Sequence, residues 1–353
     1  VTLSVPGGSA RRWQDHIRVV RLESGQRGRL VPHQVVGTVS AGTVSPEDEN
    51  APAPAQSANV VFLARCAARS KATYRLLWGL PSDTGTTAGA VPVSTMTGAL
   101  RVSGTAPGLA ISNEFYSIQL DPKSGAMLAV RRADQPDGAA MVYRGKAVPM
   151  HFGTDIWSPP QGWDHDYDWT APPNQRWEHG PIVARYHRWG PLQNYRDVLS
   201  SITYTFYAHV PYVHVSALLE LTADRSVRAI RMGEIVVAHS RSAQSSDEDT
   251  GGTVEEVFSH YAWPTAGGGI CHRAIDRHRG PDGMANCEGI AAGALGILAR
   301  DVPWVAGYHA AKGYGMASLR KSQFVGNRLG GPIPHSAPCT YLANYGWGFT
   351  YWS

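Results

Sequence analysis

Short runs in which apolar and polar positions alternate, each closed by glycine, proline, asparagine or aspartate, follow one another along most of this chain. IRVVRL (17–22), LVPHQVVGTV (30–39), NVVFLARC (59–66) and TYRLLWG (73–79) have this form and predict a small β-sandwich over residues 1–80. Residues 81–108 offer little to bury and read as a linker. LAISNEFYSIQLDPKSGAMLAVRR then predicts a hairpin, because Pro122 presets the turn and Gly125 can take a positive φ. Strand-like runs continue with ARYHRWG, SSITYTFYAHV, YVHVSALLELT, VRAIRMGEIVV, VEEVFSHYAW, ALGILARDV, WVAGYHA, YGMASLR and TYLANYGWGFTYW. Almost no segment carries a sustained helical stripe. The pattern predicts an all-β chain in which a large antiparallel sandwich over 109–353 follows the small one.

Composition agrees: 38 Gly and 24 Pro among 353 residues, with 17% charged, suit many short strands and turns. A net charge of +4 is mild, and the densest basic patch, HRAIDRHRG at 272–280, is too short and mixed for a nucleic-acid surface. No run of eighteen apolar residues occurs, so no membrane span is expected. The chain begins at Val1 and reads as a processed or trimmed polypeptide. Of the 4 cysteines, Cys271 and Cys287 bracket a polar, Gly/Pro-rich loop. A disulfide there would close an otherwise costly excursion, which points to a secreted or periplasmic protein. The competing reading makes Cys271, His272, His278 and Cys287 a zinc site, although no C-x-x-C pair supports it.

Chemistry concentrates between Gly153 and Trp189. Trp157, Trp163, Trp169, Trp177 and Trp189, five of the 11 tryptophans, lie there among acids and histidines in a stretch interrupted by Pro159, Pro160, Pro172 and Pro173. Neither a strand nor a helix period fits GTDIWSPPQGWDHDYDWTAPP, so the stretch is expected to be largely loop. Flat aromatic faces interleaved with acids and imidazoles suit a sugar, whose C–H faces stack while its hydroxyls hydrogen-bond. Trp157, Trp163, His165, Asp168 and Trp169 are the candidate contacts, and the bland alternative is a set of rings plugging the edge of a core. Asp164, Asp166 and Asp168 alternate as D-x-D-x-D, which leaves an irregular calcium site open; Trp169 stands where an EF-hand needs glycine. No nucleophile elbow, phosphate loop or dinucleotide fingerprint occurs.

NEFYSIQLDPKSGAM, followed by GPIVARYHRWG and ITYTFYAHVPYVHVSALLELT, resembles the galactose-mutarotase-like supersandwich of several polysaccharide lyases, of mutarotases and of the C-terminal domains of retaining α-mannosidases. Asn113, Tyr116, Asp121, Pro122 and Gly125 match one motif, and Tyr207, Pro211, Tyr212, Val213 and Val215 the other. The resemblance covers roughly residues 110–353 and implies a fold far more than a reaction. With a small β domain ahead of it, the arrangement looks most like secreted lyases of the exo-rhamnogalacturonan-lyase kind.

That resemblance makes β-elimination on a uronic-acid-containing glycan the leading expectation. Such chemistry needs a carboxylate neutraliser, a base for the C5 proton and an acid for the leaving oxygen. Tyr261 is the expected acid/base, with His260 or His309 as its partner, Arg320 on the carboxylate, and Lys312 and Tyr314 as further substrate contacts. Strand alternation would put His260 and Tyr261 on opposite faces unless the strand ends between them, an ending that the nearby Pro264 favours. No cofactor is required, and an acidic polysaccharide or oligosaccharide is the expected partner. The rivals are a glycoside hydrolase using two carboxylates of the 155–178 loop, and a non-catalytic glycan-binding or structural module of a larger enzyme. The Cys271–Cys287 bridge is expected to appear as a linked peptide pair in a non-reduced digest and to contribute about 3 kcal/mol. Recovery of two free thiols would refute it.

Overall fold

The structure, a computed structural model, describes residues 2–5, 17–22, 28–40, 56–78, 99–134, 154–227, 229–236, 259–264, 269–274, 304–319, 338–343 and 346–352. Among these the regular secondary structure is nearly all strand, arranged in antiparallel sheets, as the period-two pattern predicts. One 3-10 turn, Asp166–Asp168, lies among them. No helix among the described residues is long and apolar enough to cross a membrane, which says nothing of strands. ALGILARDV, Cys287, His278 and Arg320 fall outside the described residues, so the disulfide and the zinc alternative lie there too. Cys66 is an exposed free thiol whose Sγ contacts the Ser70 carbonyl at 3.0 Å.

The chain divides into two compact units. The first comprises Val1–Arg101 with Trp177–Arg185 and Thr205–Val213; the second comprises Val102–Arg176, Tyr186–Tyr204 and His214–Ser353. The first unit thus recruits segments from far along the chain, which a linear reading of domains does not contain. Its core gathers Ile17, Val19 and Val60, with Val31, Val35, Phe62, Tyr74 and Leu76 packed around them. Gln34, 8% exposed, donates from Nε2 to the Val183 carbonyl at 3.0 Å and accepts from the Ile182 and Val183 amides at 3.2 and 3.0 Å. Its amide acts here as a surrogate strand, satisfying backbone groups that burial would otherwise strand. Gly180 makes room for it, since a Cβ there would strike the Gln34 side chain.

In the second unit, Arg101–Ser103, Ala110–Ser112, Tyr116–Leu120 and Met127–Arg132 form a four-stranded sheet. The first of these strands lies inside the stretch expected to be linker. The turn develops as the sequence implies: Asp121 accepts from the Ser124 amide and hydroxyl at 3.1 and 2.7 Å, and Gly125 adopts φ +73°. Asn113 Oδ1 accepts from the Phe115 and Tyr116 amides at 2.8 and 3.1 Å. Asn113, Asp121 and Gly125, which carry part of the family resemblance, are therefore occupied with turn geometry. A further meander, whose residues 177–185 and 205–213 belong to the first unit, runs Asn174–His179, Val183–Pro191, Val198–Tyr207 and Val213–Leu221. In the second of these strands Ala184, Tyr186, Arg188 and Gly190 are buried while Arg185, His187 and Trp189 are half-buried, the alternation of a sheet with one core face.

Gly125 is doubly constrained, by its left-handed φ and by Tyr186, whose phenol ring fills the place of a Cβ. Gly125→Ala is expected to lower stability by about 1–3 kcal/mol in a denaturant titration. Gly162→Ala is its control, because a Cβ at Gly162 meets nothing within 4 Å and should change stability little.

Candidate functional site

The aromatic-acidic segment is largely loop, as its prolines suggest, but two short strands and a 3-10 turn lie within it. Asp155–Trp157 pairs antiparallel with Trp163–His165, matching Asp155 with His165, Ile156 with Asp164 and Trp157 with Trp163, and the 3-10 turn follows directly. The prolines Pro159 and Pro160 sit in the connection instead of interrupting a strand. Alternation sends Ile156 and Asp164, both 0% exposed, to the core face. Ile156 joins Leu192, Tyr195 and Val198 in one apolar cluster. An acid on that face violates the usual pattern, and its bonds explain how it is tolerated. Asp164 Oδ2 accepts from the Asn194 and Tyr195 amides at 2.7 and 3.1 Å, and Oδ1 from the His165 amide at 3.1 Å. The carboxylate thus caps backbone donors of a neighbouring turn.

Asp166 is held more firmly still. It and Arg188 are both 0% exposed and form an ion pair at 2.7 Å, while Arg188 Nη1 also donates to the Asp166 carbonyl at 3.0 Å. The other carboxylate oxygen accepts from the Thr154 amide at 2.6 Å and the Ser200 hydroxyl at 2.9 Å. Burial alone would depress the Arg188 pKa, but Asp166 and Tyr204 outweigh it and hold the guanidinium above its ordinary value. Two of the three aspartates of D-x-D-x-D are therefore engaged within the protein, leaving Asp168 exposed. Both carboxylates that the sequence offers as calcium ligands or as a hydrolytic pair are thus bonded within the protein. Among the described residues no group of three or more His, Cys, Asp or Glu is placed to hold a metal ion.

Trp169 corrects another expectation. Proposed as a stacking surface, it is 5% exposed; its indole N–H donates to the Pro191 carbonyl at 3.0 Å, and the Arg188 guanidinium lies 5.3 Å from its ring centre. It is a core plug, and a buried face cannot meet a sugar. The half-buried rings lie on the other side of the hairpin. Trp157 and Trp163 sit 5.7 Å apart, Trp163 and His165 6.3 Å, and His165 and Tyr167 4.5 Å, forming one continuous row. Tyr167 was missed in the sequence; its i+2 spacing from His165 is the signal that places it there.

The acid/base candidates sit on a four-stranded sheet ordered Ile270–Ala274, His260–Pro264, Trp304–His309, Tyr314–Leu319. Register separates them. His260 pairs with Tyr308 and Tyr261 with Gly307, while His309 pairs with Tyr314. Opposed residues share a face and successive residues alternate, so Tyr261, His309 and Tyr314 hold positions on one face and His260 on the other, with Tyr308. His260 is thus not the partner of Tyr261. His309 and Tyr314 have ring centres 5.6 Å apart, and Arg132, which the sequence reading did not select, lies over Tyr314 at 5.2 Å while paired with Asp134. The Lys312 amide donates to His309 Nδ1 at 3.2 Å, so the neutral ring carries its proton on Nε2. Burial raises the Tyr314 pKa despite Arg132, which keeps the phenol protonated at neutral pH. Lys312 is exposed at the turn between these strands.

Comparison with known proteins gives structural likeness alone. No protein-family model matches the chain, and no curated protein matches it. Similar solved structures include a glycosyl hydrolase family 38 protein from Enterococcus faecalis, with a TM-score of 0.38 and 10% identity over 78% of this chain. An α-mannosidase from Enterococcus faecalis V583 gives a TM-score of 0.40 and 11% identity over 78%. This chain spans about a third of either, 33% and 32% respectively.

Two substitutions separate scaffold from surface. Asp166→Ala should cost about 3–5 kcal/mol of stability, because it leaves Arg188 buried without its counter-charge. Trp169→Ala should cost about 3–5 kcal/mol as a large core truncation, whereas Trp163→Ala should change the melting temperature far less. Thermal unfolding of the three variants side by side checks this, and equal loss by both tryptophan variants would overturn the division.

Proposed function

We propose that this chain is a carbohydrate-active β protein that grips a glycan along the row Trp157, Trp163, His165 and Tyr167. The observation that carries this reading is the row itself: four half-buried rings in sequence on a hairpin whose opposite side is fixed by Ile156, Asp164 and Asp166. Rigid aromatic groups lose little entropy on binding and offer C–H contacts, while the indole and imidazole nitrogens supply hydrogen bonds to hydroxyls. Asp168, exposed where the row ends, adds an acceptor. The buried bonds beneath the hairpin supply the preorganisation that a binding surface needs.

The finer reading is β-elimination on an acidic glycan by a secreted protein. It is supported by the shared face of Tyr261, His309 and Tyr314 and by Arg132 beside Tyr314. His309, with its proton on Nε2, donates to the uronate instead of acting as base. Arg132 supplies positive charge there, tempered by Asp134. Tyr314, held protonated, can give its proton to the leaving oxygen. That leaves Tyr261, entering the step as the phenolate, as the group that takes the C5 proton and becomes the phenol. Hydrolysis by two carboxylates of residues 155–178 is the alternative, and with Asp164 and Asp166 buried and engaged it would fall to the other carboxylates of that stretch.

Affinity electrophoresis against a panel of acidic and neutral polysaccharides tests the binding reading. Trp163→Ala is expected to weaken retention by about 1–3 kcal/mol without loss of folding; unchanged retention on every glycan would overturn it. Ultraviolet absorbance of unsaturated uronate reports elimination separately. Tyr261→Phe should reduce that signal at least about a hundredfold with binding intact. Reducing ends released without unsaturation would identify hydrolysis instead.

A further inference from the structure

The opposite face of the His260 sheet carries a cluster that the proposed reaction does not use. His260 pairs with Tyr308, and His272 pairs with Ala262, one diagonal step from His260, so all three aromatic residues share a face. His260 and Tyr308 stack with ring centres 5.2 Å apart, and the two imidazole centres are 6.5 Å apart. Around them the register places Ala262, Ala306, Gly315 and Ala317, positions with at most a methyl group. Gly315 is required for this: a Cβ there would lie 2.8 Å from that of Tyr308. His272 is exposed, so the cluster is open to solvent.

We propose that His260 and His272 bind one divalent transition-metal ion through their Nε2 atoms. Each ring already has an oxygen on its other nitrogen. Ser259 Oγ lies 2.8 Å from His260 Nδ1, and Tyr308 Oη lies 3.0 Å from His272 Nδ1. With Nδ1–H donating to these oxygens, both Nε2 lone pairs are available to an ion, the arrangement in which an outer oxygen fixes the tautomer and orientation of a ligating histidine. Ser259 is itself anchored, accepting from the Ala310 amide at 2.9 Å while its own amide donates to the Tyr308 carbonyl at 3.0 Å. Two imidazoles on one tetrahedral ion, with nitrogen–metal bonds of about 2.0–2.1 Å, place their ring centres roughly 5 Å apart. A modest side-chain rotation of the exposed His272 therefore brings the pair into range. Imidazole ligands select zinc, copper or nickel over calcium or magnesium. The site uses two protein ligands and completes its shell with water. It stands independently of the glycan reading.

Calorimetric titration of the full chain with zinc, nickel or copper ions alone, in a non-chelating buffer, tests the assignment. One ion per chain is expected. His260→Ala and His272→Ala should each weaken binding at least about tenfold, and Tyr308→Phe by about tenfold through loss of the oriented ring. His214→Ala, a change at an exposed histidine on another sheet, should leave affinity unchanged. Electron paramagnetic resonance of the copper-loaded protein should show nitrogen coupling from two imidazoles, a readout that does not depend on any variant folding. Absence of binding at sub-millimolar ion, affinity unaffected by either histidine substitution, or coupling from a number of imidazoles other than two would overturn the proposal.

Discussion

The buried pair of Arg188 and Asp166 is the constraint on which the aromatic hairpin depends. Neither side chain is exposed, and between them they engage the strand carrying Arg188, the 3-10 turn, Thr154 before the hairpin and Ser200 on the next strand of the meander. A buried ion pair of this kind gives little net stability over a well-packed apolar replacement, because desolvation offsets most of the Coulomb energy. Its effect is positional. Once two charges are out of water, each alternative packing that separates them is strongly disfavoured, so the turn after His165 has one acceptable place. Asp164 does the same for the neighbouring turn through the Asn194 and Tyr195 amides.

Placement of the aromatic row follows from these bonds. With Ile156 and Asp164 turned into the core, strand alternation turns Trp157, Trp163 and His165 the other way. Trp169 lies past the turn, outside that alternation, and is drawn inward beneath Arg188. Two tryptophans six positions apart in one short segment thus have opposite fates. The acids that read as ligands or catalysts are the scaffold, and the rings they hold in place form the surface.

The second sheet shows the same logic in its register. A single-residue offset between the positions of His260 and Tyr261 assigns them to different faces: Tyr308 and His272 share the one, and the positions of His309 and Tyr314 the other. Two kinds of chemistry can coexist on one sheet because a strand presents alternate residues to separate environments.

Much of the fold is determined by the sequence alone. Period-two alternation fixes strands, and Asp121, Pro122 and Gly125 fix a turn, because both depend on interactions within a few residues. The half-buried state of Trp163 and the burial of Trp169 were not legible there. Both lie in the same proline-rich, acidic stretch, and their difference is made by Arg188 and Pro191, some twenty positions downstream. Likewise, whether Asp166 faces water or a guanidinium, and whether His260 meets Tyr261 or Tyr308, are decided by cross-strand partners that become neighbours only when the sheets form. Local sequence sets which residues alternate; tertiary pairing sets what each one alternates against, and so decides which side chains are free to do chemistry.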